Sequence, residues 1–270
     1  MGTRIGRPSR PSDGLLGLPM QAPMVPPEGR ARCRSIFLSD VHLGSPRAQA
    51  ELLLDFLEHH QAEFLYLVGD IADDVEERAE ERWPPSHRAV LEHLRRMATE
   101  GTRVHYMPGN HDPRFAELWG TNVTLAIAPE LEHTTADGRR LLVIHGDGFD
   151  AELGERRWLG RIGDGLTRLL EHACEALERL CRARRSRLAV FLKERCKRWL
   201  GYTGRFERSA LVAARARALD GIICGHVHSA ASRTIDGLYY GNNGDWVGSA
   251  TALVEHTDGR IELVSWERAA

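Results

Sequence analysis

Five short apolar runs, each ending in a histidine, an aspartate or an asparagine, constrain this chain more than any other feature. Ser35-Ile36-Phe37-Leu38-Ser39 runs into Asp40-Val41-His42, and Phe64-Leu65-Tyr66-Leu67-Val68 into Gly69-Asp70. Val104-His105-Tyr106-Met107 leads to Gly109-Asn110-His111-Asp112. Leu141-Leu142-Val143-Ile144 leads to His145-Gly146-Asp147, and Gly221-Ile222-Ile223-Cys224 to Gly225-His226-Val227-His228. Continuous apolar runs of this length read as strands buried on both faces. Between the first three lie helical patterns, over 47–60 with Leu53, Leu54 and Leu57 on one side, and over 86–100, where Gly101 ends it. Strand, helix, strand repetition implies a largely parallel α/β sheet. Ligands of such sheets gather at the carboxyl ends of the strands, so the topology itself brings the five polar endings together.

The second half differs. Strands return at 237–240, 251–254 and 261–264, the last two flanking Thr257-Asp258-Gly259, a hairpin signal. These late strands suggest a second, partly antiparallel sheet. Residues 1–32 alternate prolines with Gly, Ser and Arg and read as a flexible tail that buries too little apolar surface to order itself. The expected domain covers 33–265, with a long helical insertion at about 151–218. The chain has 270 residues and a formal net charge of −2, so its average charge selects no partner. Its five cysteines form no CxxC pair, which suits reduced thiols in a cytoplasmic protein. No apolar run is long enough to span a bilayer, and Leu15-Leu16-Gly17-Leu18 is too short for the core of a signal peptide.

Imidazole and carboxylate are ligands for manganese, iron or zinc. In Asp-x-His and His-x-His, an extended segment would send both ligands to one side, within reach of one small site. Glycines beside them (Gly69, Gly109, Gly146 and Gly225) let backbone turn tightly against a metal or a phosphate. A lone Gly-Asp or His-Gly is most simply a turn. Five such pieces in order, each at a strand end, are not.

The ordered set D-x-H, G-D-x-x-D, G-N-H-D, H-G-D and G-H-x-H, running here from Asp40 to His228 and including Asp73, resembles the calcineurin-like metallophosphoesterase family. The resemblance covers about residues 34–265. It implies a sandwich of two mixed β-sheets flanked by helices, a helical cap insertion, and two divalent metal ions. Asp40, His42 and His228 would hold one metal; Asn110, His145 and His226 would hold the other; Asp70 would bridge them. His111 would face the phosphate as acid or electrostatic stabiliser, oriented by Asp112. Manganese is the expected metal, with iron or zinc as alternatives.

The core motifs do not choose a substrate. From Glu155 to Arg208, fifteen basic side chains stand against seven acidic ones, a net of +8, interleaved with apolar residues such as Trp158, Leu159, Phe191 and Trp199. A basic amphipathic stretch suits an anionic membrane surface or lipid. It also suits a helical pair packed on the core with solvated arginines outside. Nucleic acid is a less favoured partner, since no recognised module accompanies it. Gly148-Phe149-Asp150, Trp158-Leu159 and the stretch 240–247 resemble the UDP-2,3-diacylglucosamine diphosphatase branch, or a sister group of it, since that branch often carries Arg where this chain has His111. The branch cleaves a pyrophosphate to lipid X and UMP in lipid A biosynthesis, which implies a lipid-like nucleotide substrate and peripheral contact with the inner face of the cytoplasmic membrane. Arg157 and Arg161 in the cap, with Asp73, Asp245 and Trp246, are the candidate substrate contacts; Asp73 alternatively supports the site from behind the ligands, and Asp245 and Trp246 alternatively form a buried turn anchored by Trp246. The alternative readings are a soluble phosphodiesterase or phosphatase on another phosphoester, and a nuclease.

Overall fold

The computed structural model describes residues 30–73, 79–112, 114–120, 123–149 and 202–267. Strand β1 (Ala31–Leu38) leads through α1 (Ala50–His59) to β2 (His60–Val68). Helices α2 (Ala79–Arg82) and α3 (Pro85–Thr99) precede β3 (Arg103–Met107). After α4 (Phe115–Trp119) come β4 (Ala126–Ile127), β5 (Glu130–Thr134) and β6 (Arg140–Ile144). Helix α5 (Tyr202–Ala216) leads to β7 (Gly221–Cys224), β8 (Ala231–Ile235), β9 (Leu238–Asn242), β10 (Thr251–Glu255) and β11 (Ile261–Ser265).

The strands form two mixed sheets, β11-β10-β1-β2-β3-β4 and β5-β6-β7-β9-β8. β1, β2, β3 and β4 are parallel, as their helical crossovers require. Alternate side chains leave a strand on opposite faces, so one strand serves two cores. On β1, Phe37 joins Tyr66, Val143, Ile223 and Leu253 between the sheets, while Ile36 and Leu38 face the first helical layer. That layer is α1 and α3. Their apolar residues Leu53, Phe56 and Leu57, and Val90, Leu91, Leu94 and Met97, recur at helical spacing and are all buried. On the far side of the second sheet, Phe206, Ala210, Leu211 and Ala214 of α5 pack on β7 and β9 residues Ile222, Cys224 and Tyr240. The order is therefore helix, sheet, sheet, helix, the α/β sandwich expected.

Three expectations change. The hairpin strands β10 and β11 belong to the first sheet, where β10 lies antiparallel to β1; the second sheet is instead built from β5 to β9. Hairpin chemistry fixes that two strands pair but not which sheet receives them. Strands β4, β5 and β8 have mostly exposed or half-exposed side chains and no apolar run, so they carried no strand signal. The domain also starts before residue 33, because Ala31, Arg32 and Cys33 pair with His60, Gln61 and Ala62. The rest of the tail and most of the insertion, including Arg157 and Arg161, lie outside the described residues, as do Cys174, Cys181 and Cys196; Cys33 and Cys224 are buried free thiols. No helix among the described residues is long and apolar enough to cross a membrane.

Candidate metal centre

The site begins where five strands end. β1, β2, β3, β6 and β7 deliver Asp40, Asp70, Asn110, His145 and His226 from two facing sheets. Asp40, His42, Asp70, His226 and His228 all take left-handed backbone, with φ between 50° and 66°. This corrects the extended geometry expected for Asp-x-His and His-x-His. The chain turns at each ligand instead, which sends Val41 and Val227 into the core, each 1% exposed, and the flanking ligands into the site. Non-glycine residues pay about 1 kcal/mol or more for this conformation, and such strain gathers at functional sites.

The backbone of the turns is interlocked. The Asp40 amide donates to the Gly69 carbonyl at 3.0 Å, and the His42 amide to the Asp70 carbonyl at 3.0 Å. The His226 amide donates to Oδ2 of Asp40 at 3.0 Å, and the His111 amide to Oδ1 of Asp70 at 2.9 Å. Each carboxylate is thus oriented by the loop that carries another ligand. A side chain at Gly109 would collide with the Asp70 carboxylate and come within 2.5 Å of its amide nitrogen. Gly69, at φ +76°, lies under the His145 ring with equally little room.

Ligand atoms fall into groups. Asp40, His42 and His228 offer atoms within 4.8 Å of one another, and so do Asp70, His145 and His226. Nε2 of His228 lies 3.0 Å from Oδ1 of Asp40, and Nε2 of His145 lies 3.3 Å from Oδ2 of Asp70. The first set is the one the family resemblance implied for one metal; the second joins His145 and His226 of the other implied set to Asp70. Asn110 is exposed, between Gly109 and His111 in the turn that grips Asp70.

The residues suit divalent cations on a specific observation. His145 donates Nδ1–H to the Val68 carbonyl at 2.8 Å, and His42 places Nδ1 2.7 Å from Oδ1 of Asp73. Each ring is thereby fixed so that Nε2 is its site-facing atom. Nε2 of His42 is buried with no hydrogen-bond partner, while Nε2 of His145 and Oδ1 of Asp40 are buried with only Asp70 and His228 beside them. A buried polar atom is rarely left without a partner, and one grouped with a carboxylate and a second imidazole suits metal coordination. Electrostatics agree. Burial alone would raise the carboxyls of Asp40 and Asp70. For Asp40 the charge and hydrogen bond of His228 outweigh it, for Asp70 those of His145, and both end below the usual carboxylate range. Burial would lower His145, but Asp70 and Asp40 push it up to about 9. The carboxylates thus create a strong demand for positive charge.

Other candidates take different places. His111 is 52% exposed, and its Nδ1 lies 3.3 Å from Oδ1 of Asp73, whose hydrogen bond raises its pKa. The expectation that Asp112 orients His111 is corrected. The buried Asp112 carboxylate accepts backbone N–H groups of Asp70 at 3.0 Å, Ile71 at 2.6 Å and Gly109 at 2.9 Å. It clamps two ligand loops together, and Asp73 takes the orienting place. Trp246 takes the buried-turn alternative rather than a substrate contact. It is fully buried against Phe56, while its backbone joins Asp40 to Gln49. Asp245 is 4% exposed; its Oδ1 accepts the amides of Val247, Gly248 and Ser249, and its Oδ2 lies 3.6 Å from Nδ1 of His228. It is placed to support His228 rather than to reach a substrate. Asn242 lies in the resembling stretch 240–247 but has no role assigned from the sequence. Its Nδ2 donates to the Gly225 carbonyl at 2.8 Å and holds the loop of His226 and His228, a role that no spacing announces.

A family profile described as calcineurin-like phosphoesterase matches residues 33–230. The UDP-2,3-diacylglucosamine hydrolase of Xanthomonas campestris pv. campestris (strain B100) is 34% identical over 121 residues, 42% of this chain and 46% of that one. The enzyme of that name from Pseudomonas aeruginosa (strain UCBPP-PA14) is 29% identical over 136 residues, 46% of this chain and 54% of that one. The chain spans about half the length of the curated relatives it matches. Among solved structures, an archaeal phosphodiesterase is similar at 12% identity and a TM-score of 0.46, covering 86% of this chain and 98% of that one. YfcE, a phosphoesterase from E. coli, is similar at 16% identity and a TM-score of 0.42, covering 86% of this chain and 99% of that one.

Proposed function

This chain belongs to the calcineurin-like phosphoesterase family, and from that membership and the geometry of the site we propose that it is a dinuclear-metal phosphohydrolase. The observation that carries the reading is the pair of ligand groups, Asp40, His42 and His228, and Asp70, His145 and His226, with the buried, partnerless Nε2 of His42 in the first. Two divalent ions held there, manganese, iron or zinc, would supply Lewis acidity toward the phosphate and toward water.

The chain's own residues do the rest. Asp70, with Oδ1 held by the His111 amide and Oδ2 facing His145, would bridge the two ions. Asn110 would complete the group of His145 and His226. His111 is exposed at the site, and Asp73 takes its Nδ1, which leaves Nε2 for the leaving oxygen. A proton held there suits general-acid help to that oxygen. Asp112, Asn242 and Asp245 hold the ligand loops, so that the geometry exists before substrate arrives.

The substrate we propose is a UDP-diacylglucosamine-type lipid precursor, cleaved at its pyrophosphate to release UMP and lipid X. The names of the relatives from Xanthomonas and Pseudomonas support it, and so does the basic, apolar composition of 155–208, which suits a diphosphate with acyl chains beside an anionic membrane. The test is an assay of purified protein with manganese on UDP-2,3-diacylglucosamine, a generic phosphodiester and single-stranded DNA, with Asp70→Ala as control. UMP release from the first substrate alone, abolished in Asp70→Ala, is the expected result. Hydrolysis of the generic ester alone overturns the lipid substrate and leaves a soluble phosphodiesterase. Cleavage of DNA alone makes the protein a nuclease.

A further inference from the structure

The face between the sheets carries a row of flat rings that stops one strand short. Phe37 on β1 pairs with Tyr66 on β2, Tyr66 with His105 on β3, and His105 with Ala126 on β4. Paired residues of neighbouring parallel strands project from the same face, about 4.8 Å apart. Flat side chains in such a row therefore stack. The Phe37 and Tyr66 rings are 4.6 Å apart and 9° from parallel, and those of Tyr66 and His105 are 5.0 Å apart and 14° from parallel. The fourth place belongs to Ala126, whose methyl group is too small to continue the stack.

A cavity of about 380 Å³ opens there, where β4 and β5 leave the edge of the sandwich. Its walls include the last two rings, Ala126, Leu131 and His133, with Ile127, 54% exposed, at its edge. The volume lies within the range of small-molecule sites. No residue of the two metal-ligand groups lines it.

The polar wall shows which ligands gain nothing. Arg34 is paired with Glu255 at 2.9 Å, and Glu132 with Arg140 at 2.5 Å. Nδ1 of His133 meets the Tyr66 hydroxyl at 2.8 Å, and its Nε2 meets Glu255 at 2.8 Å. A charged ligand finds no unmatched charge among the described residues of the wall. A flat ring finds the face of His105, whose side chain makes no hydrogen bond among the described residues. Aromatic pairs gain from parallel, offset contact beyond the area they bury.

We propose that this cavity is a binding site for an uncharged planar aromatic ring of nucleobase or indole size, which takes the fourth place of the Phe37, Tyr66 and His105 stack over Ala126. The site is separate from the metal centre and does not depend on the hydrolase reading.

The experiment titrates the full-length protein with indole, adenosine and, as a saturated comparison, cyclohexanol, and follows backbone amide shifts by NMR. Indole or adenosine is expected to shift resonances of residues 105 and 126–133, and cyclohexanol to bind at least fivefold more weakly. Ala126→Phe, which fills the fourth place from an exposed position, is expected to weaken planar probes at least tenfold while metal-dependent hydrolysis stays unchanged. Ala126→Leu repeats the block with an aliphatic chain, should Ala126→Phe fail to fold. Equal binding of cyclohexanol, undiminished binding to the folded blocking variants, or no shift with either planar probe overturns the site.

Discussion

Oδ1 of Asp73 lies 2.7 Å from Nδ1 of His42. It also lies 3.3 Å from Nδ1 of His111, so one carboxylate orients a metal-ligand candidate and the imidazole expected to face the phosphate. Its pKa is held below the usual carboxylate range: burial opposes this, but hydrogen bonds from His111 and His42 outweigh it. Replacing Asp73 with Asn keeps the shape and removes the charge that fixes the His42 ring. Loss of such a supporting carboxylate costs about 10–100-fold in metal affinity or activity. Asp73→Asn is expected to fall in that range for both manganese binding and kcat, with its unfolding midpoint near the wild-type value. Wild-type values for both would deny Asp73 this role.

Gly109 is packed against Asp70 so closely that a methyl group has no place. Gly109→Ala must push the Asp70 carboxylate or the loop aside. Overpacking of this kind costs about 1–3 kcal/mol. The variant is expected to lose that much stability in urea and to bind less manganese, read by elemental analysis after gel filtration. A variant of full stability and full metal content would show that the loop yields freely.

Asp112 separates a structural from a catalytic reading. Its three backbone hydrogen bonds join the turns of Asp70 and Gly109. A buried donor left unsatisfied costs about 1–3 kcal/mol. Asp112→Ala is therefore expected to destabilise the fold by more than about 2 kcal/mol in chemical denaturation. A variant as stable as wild type, defective only in kcat, would return Asp112 to a catalytic role.

Glu255 ties the sheets together away from the site. Its fully buried carboxylate accepts Ser35 at 2.6 Å and His133 at 2.8 Å on one oxygen, and Arg34 at 2.9 Å and the Ala136 amide at 2.8 Å on the other. Burial alone would raise its pKa; these partners, His133 foremost, lower it from 4.5 to about 2. A depressed folded-state pKa gives stability that is complete above the unfolded value and lost as pH falls through the folded one. Between pH 4.5 and pH 2 the protein should lose about 3 kcal/mol from this group. Urea titrations across that window should show a smaller loss in Glu255→Gln. Equal slopes for the two proteins would assign acid lability to other groups.

The sequence by itself determined the residue types of the candidate metal centre and the strands that deliver them. Asp40, Asp70, Asn110, His145 and His226 each follow a buried strand, and chain order with parallel crossovers is a local property that apolar runs record. The helices α1 and α3 were legible for the same reason, their apolar faces being periodic. Only the tertiary structure decided what non-local contacts decide. It moved β10 and β11 into the first sheet, because strand partnership depends on shape and burial across the whole molecule. It gave the ligand turns left-handed backbone, which no residue type in Asp-Val-His or His-Val-His requires. It also moved the orienting of His111 from Asp112 to Asp73, the first beside His111 in sequence and the second near it in space. Proximity along the chain is not proximity of side chains, and orienting an imidazole depends on the second.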